Sequence, residues 1–107
     1  MIIATICMTV PKDKRQEILQ AVSTLATTMR KERGCKACDF YMDTEDADRF
    51  LLMQEWDTQD NFDRNVCATT FSALLGAMTL LIKRPDVKIH TVMNTVGMER
   101  IKAVRAA

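Results

Sequence analysis

Two cysteines three residues apart, in Cys35-Lys36-Ala37-Cys38, form the sharpest chemical pattern in the chain. A pair at this spacing can cycle between dithiol and disulfide, or supply half of a tetrahedral metal site. Redox use needs something that lowers a thiol pKa, such as a helix N-terminus or neighbouring cations. This pair follows a helical pattern and enters a strand, so Arg33 and Lys36 are the cations at hand. Metal use needs further ligands, and Cys7, Cys67 and His90 stand isolated. A lone pair of this kind is weak evidence. Inert structural thiols are the favoured reading, redox and metal chemistry are the alternatives, and no metal site is expected.

His90 is the single histidine, hence the one ordinary side-chain base near neutral pH. It alternates with Ile89 and Thr91 on a strand pattern and is a candidate catalytic residue; a structural or surface role is the simpler assignment for an unpaired histidine. Asp39 and Glu55 also fall within strands, as candidate pocket carboxylates or as edge charges. Tyr41 and Trp56 read as core or interface aromatics whose polar tips need partners, and both are candidates for the wall of a substrate pocket. Arg64 could meet an anionic ligand, although a solvated helix charge is the simpler reading. The eight methionines are scattered, as core filler is, and do not cluster as a soft-metal site would. The three glycines lie too far apart to build a phosphate-cradling loop, so no nucleotide cofactor is advertised.

The elements that must position these residues are legible in the periodicity. Ile2 to Val10 reads as a strand apolar on both faces, hence one expected to be covered on both sides. Pro11 breaks it and suits a helix start, with Asp13 and Gln16 as a capping pair. Ile18, Leu19, Val22, Leu25, Ala26 and Met29 recur at helical spacing, and Gly34 stops that helix. Cys35 to Met42 reads as a second strand, Asp43 to Asp48 as a solvated hairpin loop, and Phe50 to Trp56 as a third strand. Asp57-Thr58 supplies an N-cap for a second helical region that carries Phe62, Val66, Phe71, Leu74 and Leu75, with a possible interruption at Ala68-Thr69-Thr70. Arg84-Pro85-Asp86 marks a break before a β-branched strand from Val87 to Val96, which Gly97 ends. Residues 97–107 form a tail, either a short docking helix or a frayed end.

This order, β-α-β-β-α-β, is the split-βαβ or ferredoxin-like arrangement of an α+β protein, an antiparallel sheet with its helices on one face. The strands carry apolar residues in both parities, so the helix-free face would leave a broad apolar surface exposed. A homodimer that buries this face is expected.

At 107 residues the chain is read as one domain, 1–107, large enough for a core without metal or disulfide staples. Fifteen basic residues against fourteen acidic ones, interspersed, exclude the clustered basic face of a nucleic-acid binder. The longest nearly apolar run, Ala73 to Ile82, is too short to span a bilayer. The first residues lack a basic segment and a small-residue cleavage site, so the cytoplasm is the expected location and the four cysteines are expected to be reduced.

A strand ending in Glu55-Trp56, then Asp57-Thr58, then a helix with Phe62 six residues after the tryptophan, resembles the antibiotic biosynthesis monooxygenase (ABM) family. Gly34-Cys35 leading into the strand through Tyr41, and Leu74-Leu75 followed by Arg84-Pro85-Asp86-Val87, are similar to it as well. The resemblance implies a dimeric α+β barrel with an apolar pocket between helices and sheet. Members include cofactor-independent oxygenases of quinols or polyphenols, haem-degrading enzymes and proteins without oxygenase activity. Many relatives carry a histidine nine residues after the tryptophan, where this chain has Asn65. Asparagine orients a ligand by hydrogen bonding but takes no proton near neutral pH. With no histidine in this helix, and no asparagine in the first strand, haem degradation is discounted. The resemblance thus implies a cofactor-free monooxygenase of a small, electron-rich aromatic molecule, with Asn65, Phe62, Phe71, Tyr41 and Trp56 as pocket candidates and Asn65 or His90 as catalytic ones. The alternative is a dimeric binding or regulatory protein on the same fold.

Overall fold

The computed structural model describes residues 1–107. Strand β1 (Ile2–Thr9) is followed by a short 3-10 turn, helix α1 (Arg15–Met29), strands β2 (Cys35–Met42) and β3 (Arg49–Trp56), helices α2 (Gln59–Val66) and α3 (Thr69–Met78), strand β4 (Asp86–Thr91) and helix α4 (Met98–Ala106). The four strands form one antiparallel sheet in the order β2-β3-β1-β4, the ferredoxin-like arrangement with α4 appended. No helix is long and apolar enough to cross a membrane.

The period of two along β1 and β3 decides which face is core. Ile2, Ala4, Ile6 and Met8 pair across the ladder with Trp56, Gln54, Leu52 and Phe50, and all eight are buried beneath the helices. Ile18, Val22, Ala26 and Met29 supply the matching stripe on α1, and Leu74 and Met78 that on α3. The opposite parity, Ile3, Thr5, Cys7, Leu51 and Met53, is only half-buried, so a single protomer covers β1 on one side and not on both. Beside these residues the edge strands place Asp86, Lys88 and His90 at one border of the open face and Ala37, Asp39 and Tyr41 at the other.

Three boundaries differ from the periodicity, each for a physical reason. The Asp13–Gln16 capping pair does not form, because residues 12–14 close as a 3-10 turn and α1 starts at Arg15 without a side-chain cap. Thr58 does cap α2, accepting from the Asn61 N–H at 3.2 Å. The second helical region breaks at Cys67-Ala68, where Ala68 is extended and serves as N-cap of α3. β4 ends at Thr91 and not at Val96, because β1 runs out: Ile2 pairs with Thr91, and Val92 N–H donates to the Met1 carbonyl. The tail is helical from Met98 to Ala106, yet it buries no residue.

Candidate functional site

β3 delivers two of the candidate side chains to the helix side of the sheet. Trp56 and Gln54 share the buried parity, and Trp56 Nε1–H donates to Gln54 Oε1 at 3.0 Å while Gln54 Nε2–H reaches the Met29 sulfur at 3.1 Å. The indole therefore has a partner at full burial, as an amphipathic aromatic requires. α2 brings Phe62 against it, ring centroids 6.3 Å apart in an edge-on arrangement. Ile2, Ala4, Trp56 and Phe62 make a small apolar cluster separate from the main core. Phe71 is half-buried on α3 and packs against the main core instead.

Asn65 sits one turn beyond Phe62 and is 1% exposed. Its Nδ2–H donates to Glu32 Oε2 at 2.6 Å, a short bond of the length expected when the acceptor is charged. Glu32 lies in the turn after α1, so this contact ties α2 to the segment that leads into β2. The orientation of the amide follows from it, because the carbonyl oxygen would be repelled by the carboxylate. Oδ1 consequently points away from Glu32 and is buried without a partner.

Tyr41 and His90 belong to the other side of the sheet. Register places Tyr41 opposite Leu51 and His90 opposite Ile3, both on the open face, at opposite edges and opposite ends. The candidates are thus divided: Trp56, Phe62 and Asn65 gather where β3 meets α2, Phe71 lies further along the helix layer, and Tyr41 and His90 stand on the far face. Tyr41 lines a trough of about 420 Å³ with Cys7, Met42, Phe50 and Leu51, closed at one end by Asp43 and Arg49. The Arg49 guanidinium lies against the Cys7 sulfur, which holds its pKa above the ordinary value. An adjoining polar hollow of about 360 Å³ shares Cys7 and Arg49 and adds Lys83, Arg84 and Asp86.

Cys35 and Cys38 both turn toward the helix side, because a β-bulge between Cys35 and Ala37 resets the alternation. Burial pushes the Cys35 thiol up and the Cys38 thiol to about 12, with the neighbouring Cys35 adding to the latter; Arg30 offsets only part. Neither is poised as a thiolate near neutral pH. All four cysteines are unpaired, and no three His, Cys, Asp or Glu side chains converge on a point where a metal ion could be held.

Three of these features escaped the sequence reading. Gln54 was marked only by its parity, falling among Phe50, Leu52 and Trp56 on the buried face. Glu32 carried no signal, since its partner is 33 residues away. The trough joins β1, β2 and β3 and has no local motif.

No curated protein matches the chain in sequence. Solved structures do resemble it: a candidate antibiotic biosynthesis monooxygenase of Deinococcus radiodurans superposes with a TM-score of 0.85 at 15% identity, over 91% of this chain and 97% of that one. A conserved protein of Methanosarcina mazei gives 0.78 at 21%, over 83% and 89%. One from Mycobacterium tuberculosis gives 0.78 at 16%, over 91% and 100%. At such identities these likenesses attest the fold. The model of the antibiotic biosynthesis monooxygenase family matches residues 1–74, from β1 into α3, and so spans Trp56, Phe62, Asn65 and Phe71. The chain belongs to the antibiotic biosynthesis monooxygenase family.

Proposed function

We propose that the protein is a cofactor-independent monooxygenase that takes a quinol-like or other electron-rich aromatic molecule, working as a homodimer in the cytoplasm. The observation that carries this reading is Asn65: a buried amide, fixed by Glu32, whose carbonyl has no partner within the chain. An acceptor in that state costs about 1–3 kcal/mol unless water or a ligand hydroxyl satisfies it, and a phenolic O–H is a fitting donor. The Trp56–Phe62 pair next to it offers aromatic edges and faces for a flat ring. Binding there requires the chain to open, since the clusters between helices and sheet are closely filled. Val87 and Ile89, on the helix side of β4 and about half exposed, mark the border where the helix layer is incomplete.

The reaction needs no resident redox group if the substrate supplies all four electrons. A hydroquinone and O₂ become a hydroxyquinone and water: one oxygen atom enters the ring and the other leaves as water. The protein contributes position, hydrogen bonding and exclusion of water. The apolar centre of the open face, Ile3, Leu51 and Met53, is the surface that a second copy would cover.

Asn65 also favours a second reading, binding without turnover, because an amide cannot take the phenolic proton. Oxygen uptake with a panel of hydroquinones, measured beside equilibrium binding, separates the two. Turnover above the uncatalysed rate, raised in Asn65→His and lowered in Asn65→Ala, supports the oxygenase. Tight quinol binding without oxygen uptake in all three proteins refutes it and leaves the binding protein.

A further inference from the structure

Two cavities meet at Cys7 and Arg49, the apolar trough of about 420 Å³ and the polar hollow of about 360 Å³. Register explains the junction. Cys7 lies between Leu51 on β3 and Asp86 on β4, and Arg49 pairs with Thr9 at the next position of the same face. Diagonal neighbours of this kind lie within reach of a long side chain, so the Arg49 guanidinium rests against the Cys7 sulfur. The thiol thereby holds the guanidinium on the boundary of both cavities.

Lys83 and Arg84 reach the hollow from the segment between α3 and β4. Leu80 and Leu81 pack against the core, Pro85 restricts its own φ, and Asp86 begins β4, so the two cations are held between fixed points. Three cations from distant parts of the chain thus line one hollow, and none of them is ion-paired. The carboxylates around the two cavities are engaged elsewhere. Asp43 accepts from the Glu45 N–H at 2.8 Å, Asp46 from the Asp48 N–H at 3.0 Å, and Asp86 leans on Lys88 at 3.8 Å.

We infer that the joined cavities bind a small organic monocarboxylate, its carboxylate in the hollow against Arg49, Lys83 and Arg84 and its apolar body in the trough against Tyr41 and Leu51. Guanidinium is the side-chain group that takes a carboxylate through two parallel hydrogen bonds. Thr9 adds a hydroxyl donor to the hollow. With Asp46 and Asp86 also on its wall, the hollow holds a surplus of one positive charge, which suits a single carboxylate and disfavours a polyphosphate. Five of the seven residues around the trough are hydrophobic, so it rewards a ring or short chain and offers a bare anion nothing. The site is formed by one protomer, on the sheet face opposite Asn65, and stands independently of the oxygenase reading.

Isothermal titration calorimetry with benzoate and with hexanoate tests this site, the two probes separating an aromatic body from an aliphatic one. At least one is expected to bind with a Kd of about 1 mM or tighter. Their neutral amides, acetate and inorganic phosphate should each bind about ten-fold more weakly or worse, since each lacks either the charge or the body. Arg49, Lys83 and Arg84 are exposed, so substituting them leaves the core intact. Arg49→Gln should weaken binding about ten-fold and Lys83→Gln with Arg84→Gln about five-fold, whereas Lys12→Gln, an exposed cation on another surface, should change nothing. Iodoacetamide labelling locates the occupant: a saturating probe should slow alkylation of Cys7 and leave exposed Cys67 unaffected. Asn65→Ala should bind the probe as the wild type does, which separates this site from the pocket proposed above. No binding of either carboxylate up to about 10 mM refutes the site. So does equal binding of the amides or of phosphate, unchanged affinity in Arg49→Gln, or Cys7 labelling indifferent to the probe. Binding lost in Asn65→Ala assigns the carboxylate to the other pocket and refutes this one.

Discussion

Replacing Asn65 with aspartate changes one group and almost no volume, yet it puts a carboxylate where the Glu32 carboxylate now accepts a bond at 2.6 Å. The charge-assisted hydrogen bond, worth about 1.5–3 kcal/mol, is lost, and two like charges meet at a position that is 1% exposed. At an effective dielectric near 20 the repulsion alone reaches about 4 kcal/mol at 4 Å and more at closer range. The pair escapes the full penalty by binding a proton, since a protonated carboxyl donates to its neighbour. Taking up that proton at pH 7, for a carboxyl of ordinary pKa near 4, costs about 4 kcal/mol, which caps the destabilisation. The sign follows from linkage: the folded variant binds a proton that the unfolded chain has released, so its stability rises as pH falls. Asn65→Asp should therefore lose about 4 kcal/mol relative to the wild type at pH 7 and recover about 2.7 kcal/mol of it by pH 5, at about 1.4 kcal/mol per pH unit. Urea unfolding of both proteins at the two pH values measures this. A loss below about 1 kcal/mol at pH 7, or the same loss at both pH values, would mean that Asn65 and Glu32 are not in contact, and the account of a fixed amide with a free carbonyl would fall with it.

Other consequences are simpler to read. Gly34 has φ +86°, and a Cβ there would lie 2.5 Å from Asn61 Nδ2 and from Asp57 Oδ1; Gly34→Ala should cost more than about 1 kcal/mol in thermal unfolding, and a neutral result would refute this turn. Trp56→Phe orphans Gln54 Oε1 in the core and should cost about 1–3 kcal/mol, most of it returned by a second substitution, Gln54→Leu. With its pKa pushed to about 12, Cys38 should resist iodoacetamide at pH 8 in the folded protein while exposed Cys67 reacts readily, as peptide mass mapping will show; rapid modification of both would revive a redox role for the Cys35–Cys38 pair.

The alternation of Ile2, Ala4, Ile6 and Met8, the helical stripe from Ile18 to Met29 and the Thr58 cap are local patterns of spacing, and for that reason they were legible before any coordinate. So was the order of elements, and with it the ferredoxin-like sheet and the family. The sequence also placed Trp56, Phe62 and Asn65 within ten residues of each other, and a strand running into a capped helix keeps such residues close. What it could not decide depends on partners distant in the chain. β4 stops at Thr91 because β1 offers nothing beyond Ile2, although residues 92–96 have no less β-propensity. Asn65 owes its orientation to Glu32, 33 residues earlier, and no spacing announces that bond. Tyr41 and His90 were grouped with Trp56 as candidates, and the register sends them to the far face, because one residue of parity decides which side of a sheet a side chain takes. The bulge at Cys35 acts by the same rule, turning both thiols inward, where burial and not their spacing governs their chemistry.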